Sequence, residues 1–295
     1  MGSRIGYACI NMSLGSNGRF RTTTVKHASQ LLNRDMLAKI KELSLHNLSN
    51  TLGIIMWNIR HNIRMYRLTS SVIPLGSHTF SDAWDWASDP DVIALCEQIR
   101  TLVIQYDLRL SFHPDHYTVI NSLDDTIVAS SIKHLVYHNK MCNLIGSNTL
   151  VMHVGGVYSN KPLARERFIT AFNSLSKDIQ SKIVLENDDR SYTVEDTLSI
   201  CKQLDIPMCL DFHHDRCNVS KEGLEYYVKD IISTWKGKTP KLHLSTGKDF
   251  VTDRSHAGYI LQEDFNSTRS IYPEADVMLE CKSKELAIFK ISLHG

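Results

Sequence analysis

Lys182 to Asp189 reads KIVLENDD, an apolar run that ends abruptly on a carboxylate, Glu186. Burying a carboxylate is costly unless it is paired or bound to a metal, so an acid closing an apolar strand marks a site. The same grammar recurs at Ile5 to Asn11 (IGYACIN), Asn62 to Ser70 (NIRMYRLTS), Asp107 to Pro114 (DLRLSFHP) and Asn148 to Gly156 (NTLVMHVGG). It continues at Ile206 to His214 (IPMCLDFHH), Lys241 to Gly247 (KLHLSTG) and Asp276 to Lys282 (DVMLECK), which makes eight strand candidates. Helical patterns separate most of them. Eight parallel strands alternating with helices are the arithmetic of an α/β (β/α)8 TIM barrel, whose active sites lie at the C-terminal ends of the strands. Glu186, His113, His153, Asp211, His243 and Glu280 all sit at such ends.

The gross numbers fit one domain spanning residues 1–295, since barrels of this type take about 250 residues. A net charge of +1 excludes a bulk polycation, so nucleic-acid binding has to come from a local patch or from metal ions. Seven cysteines, an odd number without CxxC pairing, point to reduced thiols packed as small apolar residues. The opening MGSRIGYACI has no long apolar region, no run approaches the ~20 residues of a membrane span, and Gly6 breaks the myristoylation pattern. A cytoplasmic location is therefore expected, with the nucleoid its place through DNA in a prokaryote.

Between the strands, the Ser-, Gly- and Asn-rich Asn11 to Thr24 reads as a long loop over the barrel mouth. Asn33 is placed to cap a long helix to about His61, and Asp89 with Pro90 to start another that ends near Tyr106. SSVIPLGSH carries His78 back toward the mouth. A helix from about Asp124 to Ile145 stops at Gly146, another runs from about Leu163 to Asp178, and Thr193 with Asp196 forms a capping-box variant. Ser220 starts a helix through Trp235, and Lys284 to Ile291 is a short last one. His134 and His138, four apart, lack the adjacent Glu of HExxH and lie on an outer helix, so they read as structural.

Strand side chains alternate faces, so Ser111 pairs in direction with His113, Val151 with His153, Asp211 with His213, Lys241 with His243 and Met278 with Glu280. One histidine at a strand end is ordinarily a hydrogen-bonded core residue. Five or six converging imidazoles and carboxylates are costly without a neutralising ion, which favours a multi-metal site. Nitrogen and oxygen ligands suit Mn, Zn or Fe. Two or three ions sharing Glu186 as a bridge fit the ligand count, and such clusters serve phosphodiester cleavage. Lys241 shares the inward face with the ligands and is expected as a neutral amine, as a carbamate, or as a lysine reaching past the ions to a phosphate. Arg67, Lys161, Arg165, Arg190, Arg216 and Lys248 are candidate phosphate contacts near strand ends.

The segments IGYACIN, RMYRLTSSVIPLGSH, RLSFHPDHYTVINS, VMHVGGVY, LENDDRSYTVED, LDFHHD, KLHLST and VMLECK together resemble the UV damage endonucleases, in family order and over nearly the whole chain. The resemblance implies a barrel related to endonuclease IV and a three-metal site commonly holding manganese, with zinc or another divalent ion as the variant. It also implies an ATP-independent nick immediately 5′ to cyclobutane pyrimidine dimers, 6-4 photoproducts and some other lesions in double-stranded DNA. The metal ligands it implies are His113, His153, Glu186, Asp211, His214, His243, His256 and Glu280, with His78 as a further site histidine. Glu186, Lys241 and His78 are then the catalytic candidates, and similar family members carry a modified lysine at the position of Lys241. Tyr7, Asn11, His116 and Tyr117 match positions that engage damaged DNA, although the family often has Gln where His116 stands. A monomer without a nucleotide cofactor or membrane partner is expected. The competing expectation is a metal-dependent sugar isomerase or epimerase on the same barrel.

Overall fold

In the computed structural model, which describes residues 3–291, the eight apolar runs are strands. They are β1 (Ile5–Ala8), β2 (Met65–Arg67), β3 (Arg109–Ser111), β4 (Leu150–His153), β5 (Ile183–Glu186), β6 (Met208–Asp211), β7 (Lys241–Leu244) and β8 (Asp276–Leu279). All pair in parallel in the order β3-β2-β1-β8-β7-β6-β5-β4, and a parallel bridge between Phe112 and Leu150 joins the two end strands. The sheet thus forms a nearly closed barrel. Gly6 on β1 permits the close approach of its neighbour, because a Cβ there would meet the Met65 carbonyl oxygen at 2.5 Å.

The helices are α1 (Val25–Ala28), α2 (Asn33–Arg60), α3 (Pro90–Gln105), α4 (Asp125–Ile145), α5 (Lys161–Ser174) and α6 (Lys177–Gln180). They continue with α7 (Val194–Leu204), α8 (Phe212–Cys217), α9 (Leu224–Thr234), α10 (Gln262–Ile271) and α11 (Glu285–Lys290). Asp89 accepts from the Asp91 N–H ahead of α3, Gly146 ends α4 at φ 78°, and Thr193 and Asp196 form a reciprocal capping box on α7. Three readings differ. Leu32, rather than Asn33, occupies the cap position of α2. The pattern from Leu163 to Asp178 breaks at Leu175, which is extended, so that Ser176 caps a separate turn, α6. Between β6 and β7 the chain forms α8 and then α9, which begins at Leu224 rather than Ser220.

Two apolar shells result. The larger lies between the barrel and its helices, where residues such as Leu185, Leu210, Leu242, Val277 and Leu279 face outward from the strands. Inside the barrel, small clusters of Val151, Val184 and Cys209 over Trp235, and of Ala8, Met65 and Met278, form the floor. Below them Arg109 lies 2.8 Å from Asp276 and stacks its guanidinium 5.1 Å from the Trp235 ring, which seals the N-terminal end. Because faces alternate, the residues one layer above this floor point together into the mouth. Register holds that layer level: His153 is paired with Glu186, and Asp211 with His243.

Candidate metal centre and active site

Glu186, the last residue of β5, is the hub of the mouth. Its Oε2 lies 2.9 Å from His113 Nε2 and 3.6 Å from His153 Nε2, and its Oε1 lies 2.7 Å from His243 Nδ1 and 3.8 Å from His214 Nδ1. Glu280 adds a second carboxylate, with Oε1 3.1 Å from His243 Nδ1, and the same oxygen is ion-paired with Arg67 from β2. Asp211 supplies a third. Its Oδ1 accepts from the His214 N–H at 2.7 Å, so this acid caps the helix that presents His214. Three sets of side chains are close enough to hold an ion: His113, His153 and Glu186; Glu186, Asp211 and His214; and Glu186, His243 and Glu280. Glu186 belongs to all three.

Divalent cations fit this donor set. Asp211 Oδ2 and His243 Nε2 are each sealed from solvent without a hydrogen-bond partner, which is costly for a buried polar atom unless an ion or another group meets it. The donors are oxygen and nitrogen throughout.

The electrostatics carry the same message. Burial works to raise the Glu186 carboxyl, but the His243 and His153 rings and hydrogen bonds from His113 and His243 outweigh it and hold the group well below the usual carboxylate range. Burial likewise opposes ionisation of Glu280, and Arg67 followed by His243 reverses it, leaving that carboxyl low. Burial pushes His153 down to about 3 and lowers His243, so both imidazoles present lone pairs. His214 is raised to about 9: desolvation opposes its charge, but Asp211, Glu186 and Glu280 dominate.

Lys241 is fully buried one layer below His243, and its Nζ donates to Ser111 Oγ at 2.6 Å. Desolvation brings its ammonium down to about 7, with Arg67 and Arg109 adding to the shift against the opposing pull of Cys209 and Glu186. Its stem does not reach past the cluster toward solvent, so the phosphate-reaching geometry expected as one alternative is not the one adopted.

The mouth opens into a cavity of about 790 Å³ lined by His113, His116, His153, Glu186, His214 and Glu280 among others. His256 also lines it, delivered by a loop whose ends are tied by an antiparallel bridge between Gly247 and His256; it belongs to none of the three ligand sets. His116 stacks nearly parallel to His153 with ring centres 5.8 Å apart. Tyr117 is 64% exposed, is not among the described residues lining the cavity, packs edge-on against His134 of α4 with ring centres 5.5 Å apart, and donates to Asp115 at 2.6 Å. His78 is not among the described residues lining the cavity; its Nδ1 accepts from the Phe80 N–H at 3.3 Å and its ring packs on Phe80. Tyr7 and Asn11 are fully buried: the Asn11 amide donates to the Tyr7 hydroxyl, which donates to Asn58 Oδ1, both at 2.8 Å. As placed, neither offers surface to DNA, because the long loop after β1 folds over them and is fixed by Asn47 of α2 through the Arg21 backbone.

Alternation placed His213 inward beside Asp211, and here the structure corrects the reading. The chain turns helical immediately after Asp211, so the i+2 residue swings outward and His213 Nε2 donates to the Asp253 carbonyl, 2.8 Å away, while the i+3 residue, His214, faces Glu186. The Asp-x-x-His spacing of an N-cap and its third helical residue was the available signal. His134 and His138 form no ligand pair with each other: His138 Nδ1 lies 2.8 Å from the His134 carbonyl, as in a helical turn. Among the basic candidates, Arg67 and Arg190 line the cavity, while Lys161 pairs with Asp196 and Arg216 with Asp264. No helix among the described residues is long and apolar enough to cross a membrane.

Against known proteins, the sequence model of the family described as UV-endonuclease UvdE matches residues 3–294. The UV DNA damage endonuclease of Bacillus thuringiensis subsp. konkukian (strain 97-27) is 34% identical over 296 residues, covering 97% of this chain and 92% of that protein. The crystal structure of SacUVDE superposes with a TM-score of 0.86 at 29% identity, over 98% of this chain and 96% of that one. Endonuclease IV from Thermus thermophilus shares the fold at a TM-score of 0.57 and 14% identity, over 81% of this chain and 92% of that one. With its barrel, its acid and histidine cluster and this match over nearly the entire sequence, the chain belongs to the UV-endonuclease UvdE family.

Proposed function

We propose that the protein nicks double-stranded DNA immediately 5′ to UV photolesions, cyclobutane pyrimidine dimers and 6-4 photoproducts, in a reaction that needs divalent metal, with manganese the fitting ion, and no ATP. The observation that carries the reading is the position of Glu186 in all three ligand sets, which is the geometry for ions held side by side. When bound, such ions supply a water nucleophile near neutral pH and a counter-charge for the leaving 3′ oxygen. The side chains do the rest. Glu186 would be shared, His113 and His153 would hold one flank, Asp211 and His214 the second, and His243 and Glu280 the third. Arg67 fixes the Glu280 carboxylate by hydrogen bonding, the role that outer partners play for ligating acids. His256, in the cavity wall with its ring centre 6.1 Å from that of His213, would complete the eight ligands expected of the family.

His116, in the cavity wall, and the exposed Tyr117 next to it in the loop after β3 would face an extruded dinucleotide and separate it from its complement. The near-neutral chain obtains its attraction for phosphate from the ions and from Arg67 and Arg190 rather than from bulk charge. The reading is tested by incubating the protein and Mn2+ with irradiated and unirradiated supercoiled plasmid and counting nicks. Nicks are expected on the irradiated plasmid alone and are abolished by chelator.

A further inference from the structure

The loop after β7 has a feature that binding of ions at the mouth does not require. From Gly247 to His256 it folds into a tight, braced projection. Lys248 N–H donates to the Ser255 carbonyl at 2.8 Å, and the Asp253 carboxylate accepts from the Asp249 and Ser255 N–H groups at 3.1 and 2.9 Å. The base turns back so closely that a Cβ on Gly247 would meet the Phe250 carbonyl oxygen at 2.1 Å, which reserves the position for glycine. Buried His213 holds the Asp253 carbonyl at 2.8 Å, and Arg254 is bound to Asp189 at 3.0 Å. On this rigid base the tip presents two large apolar side chains to water, Phe250 at 63% and Val251 at 68% exposure. A braced loop that exposes adjacent apolar side chains is the anatomy of an interaction site rather than of a frayed segment.

The occupant follows from position. Arg254, Ser255 and His256 of the same loop line the cavity, so the tip continues the surface on which the substrate lies. In the ring of strands β7 is four steps from β3 in either direction, which sets the loop that carries Phe250 across the barrel from the loop that carries Tyr117. A duplex spanning the mouth with its lesion over the ions therefore meets an exposed aromatic ring on each side.

We infer that Phe250, backed by Val251, is a second DNA wedge that enters the base stack on the opposite flank of the lesion from Tyr117. This inference rests on the proposed action on damaged duplex. Apolar side chains inserted at a base step unstack it and kink the duplex, and a ring from each side exposes the dinucleotide between them.

The test uses the full chain with Mn2+ and a short duplex carrying one cyclobutane dimer. Phe250→Ala is expected to raise KM about tenfold, the scale of one lost base stack, with a smaller effect on kcat. Metal content and melting temperature are expected to match the parent protein. Phe250→Trp retains the parental KM, and its added indole emission is quenched by the duplex. The wedge is overturned if the Phe250→Ala, Val251→Ser double variant nicks with unchanged KM. It is also overturned if these variants lose metal, or if they abolish a self-association of the chain seen by sedimentation without DNA. Failure of the parent protein to nick irradiated DNA would instead overturn the proposed function itself.

Discussion

His243 Nδ1 stands 2.7 Å from Glu186 Oε1, with both side chains sealed from solvent. The other oxygen of the same carboxylate faces His113 at 2.9 Å, so one acid serves two imidazoles on opposite sides and is the joint of the whole cluster. Glu186→Gln keeps the shape and removes the charge. Loss of an outer hydrogen-bond partner typically costs 10–100-fold in metal affinity, so loss of the shared ligand is expected to cost more than about 100-fold. Metal analysis of the dialysed variant should show depleted ions, and nicking of irradiated plasmid should fall below detection. Near-parental nicking by this variant would contradict a shared site.

Tyr117→Ala removes the exposed ring without touching a ligand. Stacking is worth about 1 to 3 kcal/mol per base, so preference for irradiated over intact duplex is expected to drop by about five- to 150-fold with metal content unchanged. His116→Ala should have a milder effect in the same direction. Competition binding with the two duplexes measures it; an unchanged preference in the double variant would remove both residues from lesion recognition.

Lys241→Met is expected to abolish or strongly reduce nicking without destabilising the fold, because burial works against the charged form of this lysine and methionine fills a similar volume. Its lowered proton affinity also makes it a candidate for carbamate formation with CO2. A carbamate carbon signal in the NMR spectrum of protein equilibrated with 13C-bicarbonate, present in the parent and absent in Lys241→Met, would establish the modification. A missing signal in the parent leaves Lys241 acting as the neutral amine.

His138 offers a pH test away from the ligands. It is fully buried, its Nε2 has no partner, and burial pushes it down to about 4 from 6.5. The unfolded chain therefore binds a proton that the folded chain refuses, so this contribution to stability is intact above pH 6.5, declines as pH falls toward 4, and is gone below it. The total is about 3 kcal/mol. Denaturant titrations of parent and His138→Gln between pH 7 and about 4 should show a steeper loss in the parent; parallel curves would show that His138 is not held neutral.

Much of this architecture was legible because it rests on local rules. Alternation fixed the inward direction of His113, His153, Glu186, His243 and Glu280, and cap chemistry at Asp89, Gly146 and Thr193 fixed helix ends. What escaped depends on contacts distant in sequence or on a change of period. His213 and His214 exchange roles because a helix starts one residue earlier than strand alternation assumes. Tyr7 and Asn11 sit at a strand end like the ligands, yet Asn58, far along the sequence, turns them into a buried network. His256 reaches the cavity only through its bridge to Gly247, which no spacing announces. His78 has the residue type of a ligand, but its loop folds it onto Phe80.

The central claim is that the ions centred on Glu186 cut DNA at the lesion. An end-labelled duplex with one cyclobutane dimer at a known position, incubated with the protein and Mn2+, tests it at nucleotide resolution. The account predicts a single cut immediately 5′ to the dimer, absent from the lesion-free duplex and absent with chelator. Cleavage that survives metal removal, or that falls equally on the lesion-free duplex, would contradict it.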